Sequence, residues 1–104
     1  MSKIAVIAKF TAAPGRRDEV AASLDDLMAH VDSEAGTELY ILHEDLANPD
    51  VLWMYELYTD SDALQAHSSS PAMMALFQTL GGDLMGAPPE LSVVNPVRGK
   101  GAGL

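Results

Sequence analysis

Glu56 stands in Val51-Leu52-Trp53-Met54-Tyr55-Glu56-Leu57-Tyr58, one carboxylate inside a run that is otherwise apolar on both alternating faces. Taking a carboxylate out of water costs on the order of several kcal/mol unless it is partnered, so such a group serves either structure-setting hydrogen bonds or acid-base chemistry. His67, eleven residues further on, is the expected partner. Imidazole titrates near neutral pH, and a carboxylate beside it can orient the ring or itself act as a base with a pKa raised by burial. Structural roles compete with these. Glu56 could fasten the start of the second helix through backbone amides, and His67 could be a helix-end histidine satisfied by a carbonyl or by Glu56.

The remaining candidates are weaker. His30 and His43 are expected at the surface or an interface, and three histidines at 30, 43 and 67 lack the close spacing of a metal site. Cysteine is absent, which removes disulfides, thiolate ligands and thiol nucleophiles together. No GxGxxG or GxxxxGK[ST] pattern precedes a helix, so no nucleotide or flavin domain is indicated. Ser68, Ser69 and Ser70 follow His67 directly, but neighbouring side chains diverge, and a helix cap explains them better than a catalytic dyad.

Positioning these groups falls to a short series of elements. Ile4 to Thr11 alternates as a strand and Ala12-Ala13-Pro14-Gly15 turns the chain. Val20, Leu24, Leu27, Met28 and Val31 then share one side of a single helix starting at Arg16, with Gly36 as its C-cap. Thr37–Glu44 and Val51–Tyr58 form a hairpin about the turn at Ala47-Asn48-Pro49-Asp50. Asp60 or Ser61 caps a short helix through His67, and Ser70-Pro71 opens another whose stripe is Met73, Phe77, Leu80 and Leu84. Glu90 to Val94, extending as far as Val97, supplies a fourth strand.

The order is βαββαβ, which with right-handed crossovers gives an α+β, ferredoxin-like arrangement of one antiparallel sheet with helices on one face. We expect a single domain over residues 1–97 and a tail over 98–104. Ile4, Val6, Ala8 and Phe10 fall on one side of the first strand, and Ala5, Ile7 and Lys9 on the other. The third strand likewise opposes Leu52, Met54, Glu56 and Tyr58 to Val51, Trp53, Tyr55 and Leu57. Helices cover only one face, and the other would leave an apolar patch of roughly 400 Å² or more, so a homodimer with facing sheets is expected.

Six basic against fifteen acidic residues give a formal charge of −9, which makes nucleic acid an unfavourable partner. That charge also counts against the RNA-binding fold of the same βαββαβ order, although Trp53 and Tyr55 alternate on one strand as a stacking platform would need. No run resembles a signal peptide or a membrane span, and the expectation is a cytoplasmic protein with no membrane association.

Glu34-Ala35-Gly36, Tyr40, Asn48-Pro49-Asp50, Glu56-Leu57-Tyr58-Thr59-Asp60, Ala63-Leu64 and His67-Ser68-Ser69-Ser70-Pro71 stand in the order and spacing of the antibiotic biosynthesis monooxygenase domain family, which the chain resembles over nearly its whole length. The resemblance implies a dimeric α+β barrel. Members include quinol and anthrone-type monooxygenases that use no cofactor and no metal, heme-degrading enzymes, and an isomerase of a phosphorylated signalling molecule. The heme branch's asparagine, tryptophan and histidine correspond to Ala8 or a neighbour, His67 and Phe77, which argues against heme. The Glu56 and His67 pair resembles the quinol monooxygenase side.

A cofactor-free oxygenation of a small aromatic or quinol-like substrate by dioxygen needs a base, a dry pocket and a donor for reduced oxygen. The resemblance implies His67 and Glu56 as the catalytic pair. Tyr58 and Tyr40 are expected as hydroxyl donors, with Met54, Met73, Phe77 and Leu80 as the apolar walls. A ligand-binding dimer without turnover and an isomerase of the same fold are the alternatives.

Overall fold

The computed structural model describes residues 2–104. Strands β1 (Ile4–Thr11), β2 (Thr37–Glu44), β3 (Val51–Tyr58) and β4 (Glu90–Val94) form one antiparallel sheet in the order β2-β3-β1-β4. Helices α1 (Arg17–Ser23), α2 (Asp25–Val31), α3 (Ser61–Ser68) and α4 (Pro71–Leu80) complete the α+β, ferredoxin-like fold. The helices pack on the sheet face that carries Ala8, Phe10, Leu52 and Met54. Val20, Leu24, Leu27, Val31, Met73, Leu76 and Leu80 close the core over it.

Register decides what faces the helices. Tyr40, Glu56, Val6 and Val93 lie side by side across the four strands, and Leu42, Met54, Ala8 and Leu91 form the next row. Both rows share a face because they are two residues apart on every strand. Glu56 is therefore carried to the helix side of a central strand, where it is 5% exposed.

Three expectations about the helices need correction. The first helix is two, divided at Leu24, whose N–H bonds to Ala21 O three residues back before Met28 N resumes the four-residue pattern on Leu24 O. The apolar spacing conceals this break, since Val20, Leu24, Leu27 and Val31 stay buried on one side across it. Gly36 is not a C-cap, because α2 ends at Val31. Its carbonyl accepts from Thr59 N at 2.9 Å, and a Cβ there would lie 2.4 Å from Ala63 Cβ, so the glycine permits close approach of α3. Leu84 lies beyond α4, which stops at Leu80 before Gly81-Gly82, and reaches the core from the following loop.

Both later helix starts are capped by side chains. Asp60 Oδ1 accepts from Ala63 N at 2.9 Å, and Ser70 Oγ accepts from Met73 N at 3.2 Å with Pro71 opening α4. Behind the sheet, Lys3 Nζ pairs with Glu38 and donates to Ala102 O at 2.8 Å, which ties residues 98–104 to the start of β1. Among the described residues, no helix is long and apolar enough to cross a membrane.

Candidate active site

His67 occupies the last turn of α3 and is 2% exposed. Its ring lies against those of Tyr40 and Tyr58, with centroids 5.1 and 5.4 Å away. Tyr40, from β2, lies in the Glu56 row, and Tyr58 is two residues past Glu56 on the same face of β3, so the sheet builds an aromatic seat for the imidazole.

The expected partner is not the one that holds it. His67 Nδ1 is 2.9 Å from Glu34 Oε1, whereas Nε2 is 4.0 Å from Glu56 Oε1, too far for a hydrogen bond. Glu34 comes from the loop between α2 and β2. It also accepts from Thr37 Oγ1 at 2.8 Å and lies 3.3 Å from His30 Nε2 through its other oxygen. An ionised carboxylate only accepts, so Nδ1 carries a hydrogen in this contact, and in the neutral ring Nε2 then holds the lone pair. That nitrogen is buried with no hydrogen-bond partner among the described residues, an arrangement that proteins rarely leave without purpose.

Glu56 bonds neither to His67 nor to the backbone amides expected on its structural reading; it accepts from the Tyr58 hydroxyl. Burial pushes its carboxyl up to about 7, the Tyr58 hydrogen bond pulls the other way, and the nearby Glu34 charge adds to the rise. Burial likewise raises Tyr40 and Tyr58, with Glu56 and Glu34 adding to both. Both phenols thus remain protonated as donors.

A cavity of about 110 Å³ opens beside these groups. Tyr40, Glu56, His67, Met73 and Phe77 line it as the sequence suggests. Tyr58, Met54 and Leu80 do not. Met54 and Leu80 are spent in the core, and Tyr58, fully buried, meets the site through its hydroxyl on Glu56 and its ring against His67 without lining the cavity. The remaining wall includes Val6, Phe10, Leu64 and Leu76, with Leu91 and Val93 from β4. Phe77, Leu91 and Val93 are half exposed or more and mark the mouth.

Sequence reasoning missed Glu34 as a partner, although it heads one of the quoted family segments; its place four residues after His30 is the local trace of the cluster. His43 is exposed. Among the described residues, no three histidine or acidic side chains come together in a way that could hold a metal ion.

Four antiparallel strands backed by helices, with a histidine and an acid in the wall of an apolar cavity, define a small α+β domain of the ferredoxin-like class. The family model described as "Antibiotic biosynthesis monooxygenase" matches residues 3–79, and the chain belongs to that family. It is 31% identical over 96 residues to a Mycobacterium tuberculosis protein named "Putative monooxygenase Rv0793", covering 92% of this chain and 93% of that one. The solved structure of Rv0793 superposes with a TM-score of 0.87 at 30% identity, over 96% of this chain and all of the other, 100%. An antibiotic biosynthesis monooxygenase-type protein of Caulobacter crescentus gives 0.85 at 26% identity, covering 93% of this chain and 92% of that one. PA3566 of Pseudomonas aeruginosa gives 0.83 at 26%, covering 94% and 97%.

Proposed function

We propose that the chain is a cofactor-independent monooxygenase, a cytoplasmic homodimer, that oxidises a small hydroxylated aromatic or quinol with dioxygen. The observation that carries this reading is the buried His67 in the wall of an apolar cavity, held at Nδ1 by Glu34 and with an unpartnered Nε2 4.0 Å from Glu56. Family membership supports it.

The substrate itself is the reductant. A phenolic hydroxyl against Nε2 gives its proton to the imidazole, Glu34 stabilises the resulting cation, and negative charge spreads to the ring carbon beside the oxygen. Two electrons pass from that carbon to dioxygen as the C–O bond forms, and the peroxide takes the proton back. Loss of the remaining C–H proton and cleavage of the O–O bond leave a ring carbonyl and water. Glu56, titrating at about 7, can protonate the departing oxygen. For a quinol the sum is quinol plus dioxygen giving hydroxyquinone plus water, with no outside electron donor.

Oxygen uptake over a panel of quinols and anthrones tests the reading. His67→Ala should lower the rate roughly a hundredfold or more. Equal rates for wild type, His67→Ala and Glu56→Gln reject the roles, and a ligand that binds yet never changes mass identifies a binding protein instead.

A further inference from the structure

We infer that the cavity selects an uncharged substrate, holding one ring hydroxyl between His67 Nε2 and Glu56 Oε1 and excluding rings that bear a carboxylate, sulfate or phosphate. This deepens the oxygenase reading and rests on it for the identity of the site, but it concerns binding alone.

The clamp is a matter of geometry. Nε2 and Oε1 are 4.0 Å apart. One oxygen can lie about 2.8 Å from both, donating its hydrogen to the imidazole lone pair and accepting from the carboxyl when that is protonated. Val6 and Tyr40 flank Glu56 in its row, and the Tyr40 ring packs on His67, so the hydroxyl has one seat and the ring behind it meets Phe10, Met73 and Phe77.

Exclusion follows from where the charges are. None of the residues lining the cavity is Lys or Arg, and the ionisable groups at or beside it are two carboxylates, an imidazole and the Tyr40 phenol. The cations lie elsewhere. Lys3 pairs with Glu38, Arg16 with Glu19 and Asp83, Arg17 with Glu44, and Lys9 lies over Trp53 on the opposite face of the sheet, while Arg98 and Lys100 are exposed beyond β4 and do not line the cavity. A substrate anion would be buried with no Lys or Arg to meet it, beside Glu56 and an imidazole already paired to Glu34, and the chain's formal charge of −9 offers no attraction on approach. The phosphorylated substrate of an isomerase is disfavoured for the same reason.

Anaerobic NMR titration at pH 6.5, below the Glu56 pKa of about 7, following the His67 ring protons, separates binding from turnover. The probes are hydroquinone, its carboxylate gentisate, and 1,4-dimethoxybenzene. Hydroquinone should saturate the shift, while gentisate and the diether should each bind roughly tenfold more weakly or worse. Phe77→Lys, at the half-exposed mouth, should restore gentisate binding without disturbing the core. Gentisate binding as tightly as hydroquinone overturns the inference, and so does failure of hydroquinone to bind at all. Hydroquinone that binds selectively yet consumes no oxygen when air is admitted leaves this inference standing and removes the oxygenase.

Discussion

Glu34 and His67 meet across 33 residues of sequence, Oε1 to Nδ1 at 2.9 Å, and this contact leaves Nε2 as the nitrogen turned toward Glu56. The carboxylate that sequence reasoning places beside the histidine, Glu56, instead stands on the other side of the ring. His67 therefore sits between an acid that orients it and an acid that shares its pocket, and the two acids have different environments. Glu34 is hydrogen-bonded by Thr37 and borders the half-exposed His30, whereas Glu56 is held by one phenol in an apolar wall.

Glu34→Gln tests the orienting role. The amide keeps the shape but loses the charge that stabilises a protonated imidazole, and its NH₂ end can turn toward Nδ1 and reverse the tautomer. Turnover should fall roughly tenfold to a hundredfold with the circular dichroism spectrum unchanged. Undiminished turnover would remove Glu34 from the mechanism.

Glu56 makes stability depend on pH in a definite direction. Its folded-state pKa, about 7, lies above the ordinary 4.5, so the folded chain binds more protons between these values and stability falls as pH rises through the window. The stability is fully present below about 4.5 and lost as pH rises through about 7, a difference on the order of 3 kcal/mol for this group. Glu56→Gln keeps an oxygen for the Tyr58 hydroxyl and should flatten that part of the profile. Denaturant midpoints from pH 4.5 to 8 for both proteins provide the measurement, and parallel profiles would contradict the assignment.

Tyr58→Phe removes the one hydrogen bond that lowers the Glu56 pKa. The carboxyl should then titrate above 7, and the corresponding limb of the pH-rate profile should move to higher pH. Stability should drop by roughly 1–3 kcal/mol, because a buried carboxyl loses its partner. A profile that does not move would detach Glu56 from the rate.

Strand bounds were legible in the chain because alternation and turn chemistry mark both ends. Thr37–Glu44 and Val51–Tyr58 are bracketed by Gly36, Asn48-Pro49-Asp50 and the Asp60 cap. Glu56 and His67 were legible for a different reason, as polar exceptions in apolar surroundings. The break at Leu24 was not, since splitting the helix leaves its buried face intact. Nor was the Glu34 contact, because a loop carboxylate carries no periodicity and its partner is fixed only when Gly36 lets the loop and α3 close. Met54 and Leu80 were misassigned to the pocket because a stripe of apolar residues on a helix or strand looks the same whether it meets another side chain or a ligand.

Gly36→Ala probes that closure. The added methyl would sit 2.4 Å from Ala63 Cβ, so loop and helix must separate, at a cost of roughly 1–3 kcal/mol. Because the same movement parts Glu34 from His67, turnover should fall together with the melting temperature. The double variant Gly36→Ala with Ala63→Gly should recover both; recovery of stability without turnover would uncouple the loop from the site.

The sheet face away from the helices is the last feature that needs a partner. Ile7, Tyr55 and Ile41 form one row across it, with Ala5, Leu57 and Leu39 beside them, and Ile7 and Ile41 are 39% and 45% exposed. All four helices lie on the opposite side, so a second copy of the sheet is the cover that symmetry offers most directly. Light scattering on wild type should give the mass of a dimer, and its melting temperature should rise with concentration. Ile41→Asp, which places a charge at the β2 end of the row, should yield a monomer, whereas Met74→Lys on the exposed side of α4 should leave the dimer intact. A wild type that runs as a stable monomer at micromolar concentration would show that the face is covered by something other than itself.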